Sequence, residues 1–152
     1  MHERRIVKGL HAQWAEAFGT LESTLGSFSP EQWKQGASPY TGPGRCAAHA
    51  LVCGEFYTTG DRAAFDRFGL PVWKMTDDDV PDQAAQNKYL RRVRKMTQAW
   101  VDVLAGEGLD SVDEQKTTNL ERIIYALRHL QHHTGEMFCW QKQMGIEVTG
   151  WE

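Results

Sequence analysis

The sequence predicts an all-α protein, an up-down four-helix bundle forming a single domain over residues 1–152. Three observations carry that prediction. Four stretches repeat apolar residues at intervals of three and four, the period of one helix face. Two segments open with Ser or Thr followed three residues later by Gln or Glu, the reciprocal capping pattern of helix starts. No stretch alternates apolar and polar residues convincingly enough to read as a strand.

The first helix covers about Glu3 to Ser27, with Ile6, Val7, Leu10, Trp14, Phe18, Leu21 and Leu25 on one stripe. Gly9, Gly19 and Gly26 lower its intrinsic propensity, so packing must hold it. His11 beside that stripe faces a neighbouring helix or solvent. Ser29-Pro30-Glu31-Gln32-Trp33 is a short capped turn with proline at the first helical position. Gly36 to Gly44, rich in glycine and proline, reads as a loop.

The second helix runs from about Arg45 to Thr59 and stops at Gly60. On it Cys46, His49, Cys53, Phe56 and Tyr57 fall within about 100° of one another, the width of a core-facing stripe. His49 is therefore a buried or cleft histidine. Taken alone, it reads as a core residue satisfied by one hydrogen bond. Arg62 to Lys74 forms an irregular crossover with a partial helical turn near Ala63 to Arg67. Met75 to Pro81 is acidic and punctuated by proline, which suits a helix cap; the Gly and distal Glu of a calcium loop are missing. The third helix spans about Asp82 to Leu104 and ends at Gly106-Glu107-Gly108. Thr118 and Glu121 open the fourth, which continues to Met144 and the Gly145 stop. The long connection thus lies between the second and third helices. Trp151, in the tail from Ile146 to Glu152, is expected to pack back on the bundle.

Composition narrows the function. With 41% hydrophobic residues and six Trp, the chain can bury a core without disulfide staples. A formal net charge of −3 argues against a nucleic-acid surface, which needs a concentrated basic face. Arg91, Arg92, Arg94 and Lys95 point several ways around a helix and read as a solvated flank. No apolar run approaches the roughly 20 residues of a membrane span. The three cysteines make no CxxC pair and leave an odd count, unlike a secreted disulfide framework. With an amphipathic rather than signal-like N-terminus, the cytoplasm is the expected compartment. Cys46, Cys53 and Cys139 read as small buried hydrophobes. Cys53, one turn from His49, could also contend as a ligand.

The chemistry concentrates in Arg128-His129-Leu130-Gln131-His132-His133-Thr134-Gly135-Glu136. His129 and His133 lie about 40° apart around the helix axis, close enough for two imidazoles to share one ion. His132 points away, towards the surface. Glu136 and Trp140 continue the edge of the histidine pair at one-turn intervals. The zinc-protease pattern H-E-x-x-H is absent, since Leu130 stands where its Glu belongs. Nor are there the E-x-x-H pairs that a carboxylate di-iron bundle takes from two helices. A mononuclear, mostly histidine site remains. Its third ligand must come from His11 or His49, with His49 the better candidate.

These residues resemble a known family. His129-Leu-Gln-His-His133-Thr-Gly135-Glu136, followed by Met144-Gly145-Ile146, is similar to the H-x-x-x-H-R-G-Q and L-G-I ending of the DinB/YfiT-like superfamily. Ala48-His49-Ala50-Leu51 falls where that family carries its A-H-L segment. The Pro/Gly loop and the Ser29-Pro30-Glu31 turn match in position. The resemblance implies a four-helix bundle holding a divalent metal, such as zinc or nickel, through His49, His129 and His133. Relatives include thiol-dependent S-transferases and a mycothiol-dependent maleylpyruvate isomerase. Two positions depart from the pattern: Thr134 replaces the common Arg and Glu136 the common Gln. Glu136, the candidate catalytic residue, could accept a proton from bound water, ligate the ion or orient a histidine.

The expected function is a metal-dependent enzyme acting on a small-molecule substrate, either a transferase with a low-molecular-weight thiol as cosubstrate or a hydrolase. The alternative is a non-catalytic bundle that binds metal or a small ligand as a stress-response or sensor module. A cleft beside Glu136 and Trp140 is expected of the enzyme. Relatives dimerise through helix faces, which makes a homodimer an expectation as well.

Overall fold

The structure, a computed structural model, describes residues 2–36 and 42–148. Four long helices form the bundle: α1 (His2–Leu25), α3 (Pro43–Thr59), α4 (Gln83–Glu107) and α5 (Asn119–Gln143). The short α2 (Pro30–Lys34) joins α1 to α3, and two 3₁₀ turns, Arg62–Asp66 and Val72–Lys74, lie between α3 and α4. Both predicted capping boxes form, at Ser29 with Gln32 and at Thr118 with Glu121. Gly60 closes α3 in the left-handed conformation, φ 70°, which costs a glycine nothing. The second predicted helix starts earlier than expected, because Pro43 occupies its first turn. The middle of the loop before it and Trp151 lie outside the described residues.

Residue pairings refine the up-down arrangement. On α3 and α5, Cys46 meets Glu136 while Tyr57 meets Tyr125, so these helices run antiparallel. On α3 and α4, Gly44 meets Gln86 and Glu55 meets Arg92, so this pair runs parallel. The α1–α4 pair is antiparallel, with Gln83 on the Leu25 carbonyl and His11 on Asp102. The parallel pair accounts for the long crossover: the chain must travel back along α3 before α4 can begin. Arg45, 4% exposed, ties that return down. Its guanidinium donates to the Met75 carbonyl at 3.3 Å and the Gly36 carbonyl at 2.7 Å, and it pairs with Asp77. Within the acidic stretch Asp77 serves that ion pair and Asp79 accepts from the Thr76 N–H and hydroxyl, while Asp82, just beyond it, caps α4.

The core is continuous from Trp14, Phe18 and Leu21 through Leu51 and Leu90 to Ile123 and Met137. Helix α3 runs through its middle. Ala47, Ala48, Ala50, Leu51 and Val52 are at most 1% exposed, and these small side chains let neighbouring helices come close. Gly44 is needed for the same reason, since a Cβ there would sit 2.7 Å from the Trp33 carbonyl oxygen. The stripe of His49, Phe56 and Tyr57, which the sequence assigns to the core, is only half-buried. The alanine-rich residues around it take the centre, because α3 is packed on several sides rather than one. Val103 and Ile124, on predicted apolar stripes, are also exposed, at 57% and 47%.

Candidate metal centre

The antiparallel packing of α3 against α5 brings His49 to His129 and His133. Ring centroids lie 4.7 Å apart for His49–His133, 5.4 Å for His49–His129 and 4.5 Å for His129–His133. One nitrogen from each ring falls within 4.8 Å of the others. The Nε2 atoms of His129 and His133 are 3.3 Å apart. Two nitrogens bonded to one tetrahedral zinc at about 2.05 Å would be separated by about 3.3 Å. The spacing therefore fits a shared ion.

Protonation agrees with that fit. Burial first, and then the neighbouring His133, pushes His49 down to about 4. The same causes, with His49 added, push His129 to about 4. At neutral pH both rings are uncharged, the form that ligates metal.

Glu136 fixes the third ring. Its Oε2 lies 2.7 Å from His133 Nδ1, so that nitrogen carries the proton and Nε2 is left to face the cluster. Burial raises the Glu136 carboxyl, but hydrogen bonds from His133 and Cys46 outweigh it and hold the group below the usual range. The other oxygen is 3.4 Å from Nε2 of His132, whose side chain is 65% exposed. His132 is at the surface, as predicted. His11 takes no part: it faces α4, with Nε2 2.8 Å from Asp102.

The cysteines divide three ways. Cys139 is exposed, contrary to its reading as a buried hydrophobe. Cys53 is buried and places Sγ 3.6 Å from His49 Nε2; burial pushes its thiol up to about 12. Cys46 is buried too, but it is part of the site, with Sγ 3.6 Å from His133 Nδ1 and 3.4 Å from Glu136 Oε2. The sequence carried a signal for this. Cys46 is one turn before His49 and Glu136 is about one turn after His133, so antiparallel helices that pair the histidines also pair these two. Cys46, His133 and Glu136 do not form a nucleophile relay, because thiol and carboxylate converge on the same imidazole nitrogen instead of opposite ones.

A cleft of about 650 Å³ lies one side chain away from the cluster, lined by Phe56, Tyr57, Trp100, Arg122, Tyr125 and Arg128 among others but by none of the three histidines. Tyr57 joins the two, with its ring 5.3 Å from that of His129. This cleft lies towards the N-terminal half of α5, not beside Glu136 and Trp140 as expected. A larger groove, about 1040 Å³, includes Gln131, Thr134, Gly135 and Phe138, on the face of α5 opposite the histidines.

Comparison with known proteins bears on the fold. No family model matches the chain, and no curated protein matches it. Among solved structures, it is similar to the crystal structure of a DinB-like protein from Bacillus cereus ATCC 10987. That match has a TM-score of 0.67 and 20% sequence identity, and covers 95% of this chain and 97% of that one. No helix among the described residues is long and apolar enough to cross a membrane. That near-complete overlap agrees with the four-helix bundle that the resemblance implies, and the chain has the fold of a DinB-like protein.

Proposed function

We propose that this protein is a divalent-metal-dependent enzyme that activates a low-molecular-weight thiol or water for attack on a small electrophilic substrate. The supporting observation is the convergence of His49, His129 and His133, with His49 and His129 neutral and a 3.3 Å Nε2–Nε2 separation between His129 and His133. A divalent ion held there, zinc or nickel by ligand type, lowers the pKa of a bound thiol or water to near neutrality. Three protein ligands leave room for that group, as in catalytic rather than structural sites.

The chain's own residues supply the rest. Glu136 holds His133 in the tautomer with Nε2 turned inward, and so acts as a positioning residue in preference to the other two roles the sequence allows. Tyr57 and Tyr125 form the wall between the histidines and the cleft. Arg128, whose guanidinium lies 5.6 Å over the Tyr125 ring, offers charge to an anionic substrate or cosubstrate at the mouth.

The test combines elemental analysis with turnover. Purified protein should carry a divalent ion and, given thiol plus electrophile or a hydrolysable ester, turn substrate over only when loaded. Glu136→Gln should weaken metal binding about 10–100-fold, the cost of losing an outer-shell carboxylate. A protein that holds metal yet turns over nothing in any metal form would instead be a metal- or ligand-binding bundle without catalysis.

A further inference from the structure

The histidine cluster uses only one edge of His133. The other nitrogen, Nδ1, faces the Glu136 carboxylate that orients the ring and also the Cys46 thiol, which the three-histidine site does not use. We propose that Cys46 Sγ, His133 Nδ1 and the Glu136 carboxylate form a second cation site, selective for a thiophilic divalent ion such as zinc or cadmium.

Geometry carries the proposal. The three atoms lie 3.6 Å (Sγ–Nδ1), 3.4 Å (Sγ–Oε2) and 2.7 Å (Nδ1–Oε2) apart. With a Zn–S bond of about 2.3 Å and Zn–N and Zn–O bonds of about 2.05 Å, tetrahedral edges to sulfur are about 3.5 Å. Both sulfur edges already match. The remaining edge has to open to about 3.3 Å, a shift of about half an ångström for a carboxylate whose side chain is 41% exposed. That exposure also gives an ion its way in, since Cys46 itself is 1% exposed. A buried sulfur ligand selects soft or borderline ions over magnesium and calcium.

Loading the site balances as proton exchange. The Cys46 S–H and His133 Nδ1–H bonds break, bonds from sulfur, nitrogen and oxygen to the ion form, and no electron changes hands. With the three-histidine site filled, both protons leave to solvent and His133 bridges two ions as imidazolate. With it empty, the ring proton moves to Nε2 and only the thiol proton is released.

The probe is cadmium chloride titrated into the metal-free full chain, reading bound metal per chain and the ultraviolet thiolate-to-cadmium charge-transfer band. Wild type should bind a second equivalent with that band. Cys46→Ser and Cys46→Ala should each lose the band and one equivalent while keeping wild-type circular dichroism. Cys53→Ser should keep both, and His49→Ala should lose the other equivalent but keep the band. Absence of the band in wild type, or its survival in folded Cys46→Ala, would overturn the proposal. Neither result bears on the three-histidine site, which is read separately through His49.

Discussion

Helix α3 carries two clusters of buried polar groups less than two turns apart, and they solve the problem of burial in opposite ways. Glu55, 3% exposed, is surrounded by donors. It accepts from Tyr89 at 2.5 Å, from Arg67 Nε at 3.1 Å and from Arg92 at 3.3 Å, and it pairs with the other end of the Arg67 guanidinium. Its charge is matched within the protein, so the cluster needs nothing more. The His49–His129–His133 cluster instead brings one nitrogen from each of three imidazoles within 4.8 Å of the others. A carboxylate ringed by its own cations reads as structure, holding the first 3₁₀ turn and α4 against α3; three converging imidazoles read as a receptor for an ion.

The largest effects should separate the two by metal content. His129→Ala should abolish the bound divalent ion in elemental analysis, while metal-free protein stays folded with a loss of about 1 kcal/mol, since the ring is only half-buried against Tyr57 and the other two histidines. If His129→Ala protein retains stoichiometric metal under chelator challenge, the receptor reading of that cluster is wrong.

Acid titration should separate them next, by pH window. Unfolded histidines take up protons below about 6.5, whereas His49 and His129 in the fold resist until about 4. The unfolded state thus binds more protons in between, and metal-free protein should lose roughly 3 kcal/mol as pH falls from 6.5 to 4, about half of what two fully buried rings would give, because both are only half-buried and solvent screens them. Glu55 behaves differently. Burial raises its carboxyl, but Arg67, Tyr89 and Arg92 together hold it below the ordinary 4.5. Its contribution is therefore complete above that pH and disappears only as pH falls below it. Urea midpoints measured against pH should show two separate declines. His129→Gln should flatten only the upper one.

Glu55→Gln should cost about 2–3 kcal/mol at neutral pH, since it leaves two guanidiniums and a buried phenol short of an acceptor. The figure is below that for a fully buried ion pair because Arg67 and Arg92 are 34% and 53% exposed and can rehydrate. Metal content should not change. A Glu55→Gln protein that folds with wild-type stability but loses its metal would reverse the assignment of the two clusters.

The two clusters also differ in how far the sequence revealed them. His129 and His133 are visible from helical spacing, and His49 from its stripe together with the motif that resembles DinB-like proteins. Helix periodicity is a local property, so it survives without coordinates. The Glu55 cluster draws on α3, the crossover and α4, three segments whose meeting depends on the parallel α3–α4 packing. Nothing in residues 55, 67, 89 and 92 announces that contact. Arg45 was hidden for the same reason, because its partners lie about 30 residues on in an irregular segment. Cys46 is the intermediate case. Its position relative to His49 was legible, but its meaning required knowing that α5 runs antiparallel beside it.

The smallest expected effect tests whether the glycine in the histidine motif belongs to the site at all. Gly135 lies between His133 and Glu136 in sequence, in the run that resembles the family pattern. In the helix, however, it is exposed, it lines the groove opposite the histidines, and a Cβ added there would meet nothing within 4 Å. Glycine inside a helix costs about 0.5–1 kcal/mol relative to alanine. Gly135→Ala should therefore raise the unfolding free energy by that amount, read as a higher urea midpoint, and leave bound metal and any turnover unchanged. Unchanged stability with lost metal would mean that the backbone at Gly135 has to flex for the rings to close on an ion. Unchanged metal with lost turnover would place a reactant in the groove behind α5 instead of the cleft beside Tyr57.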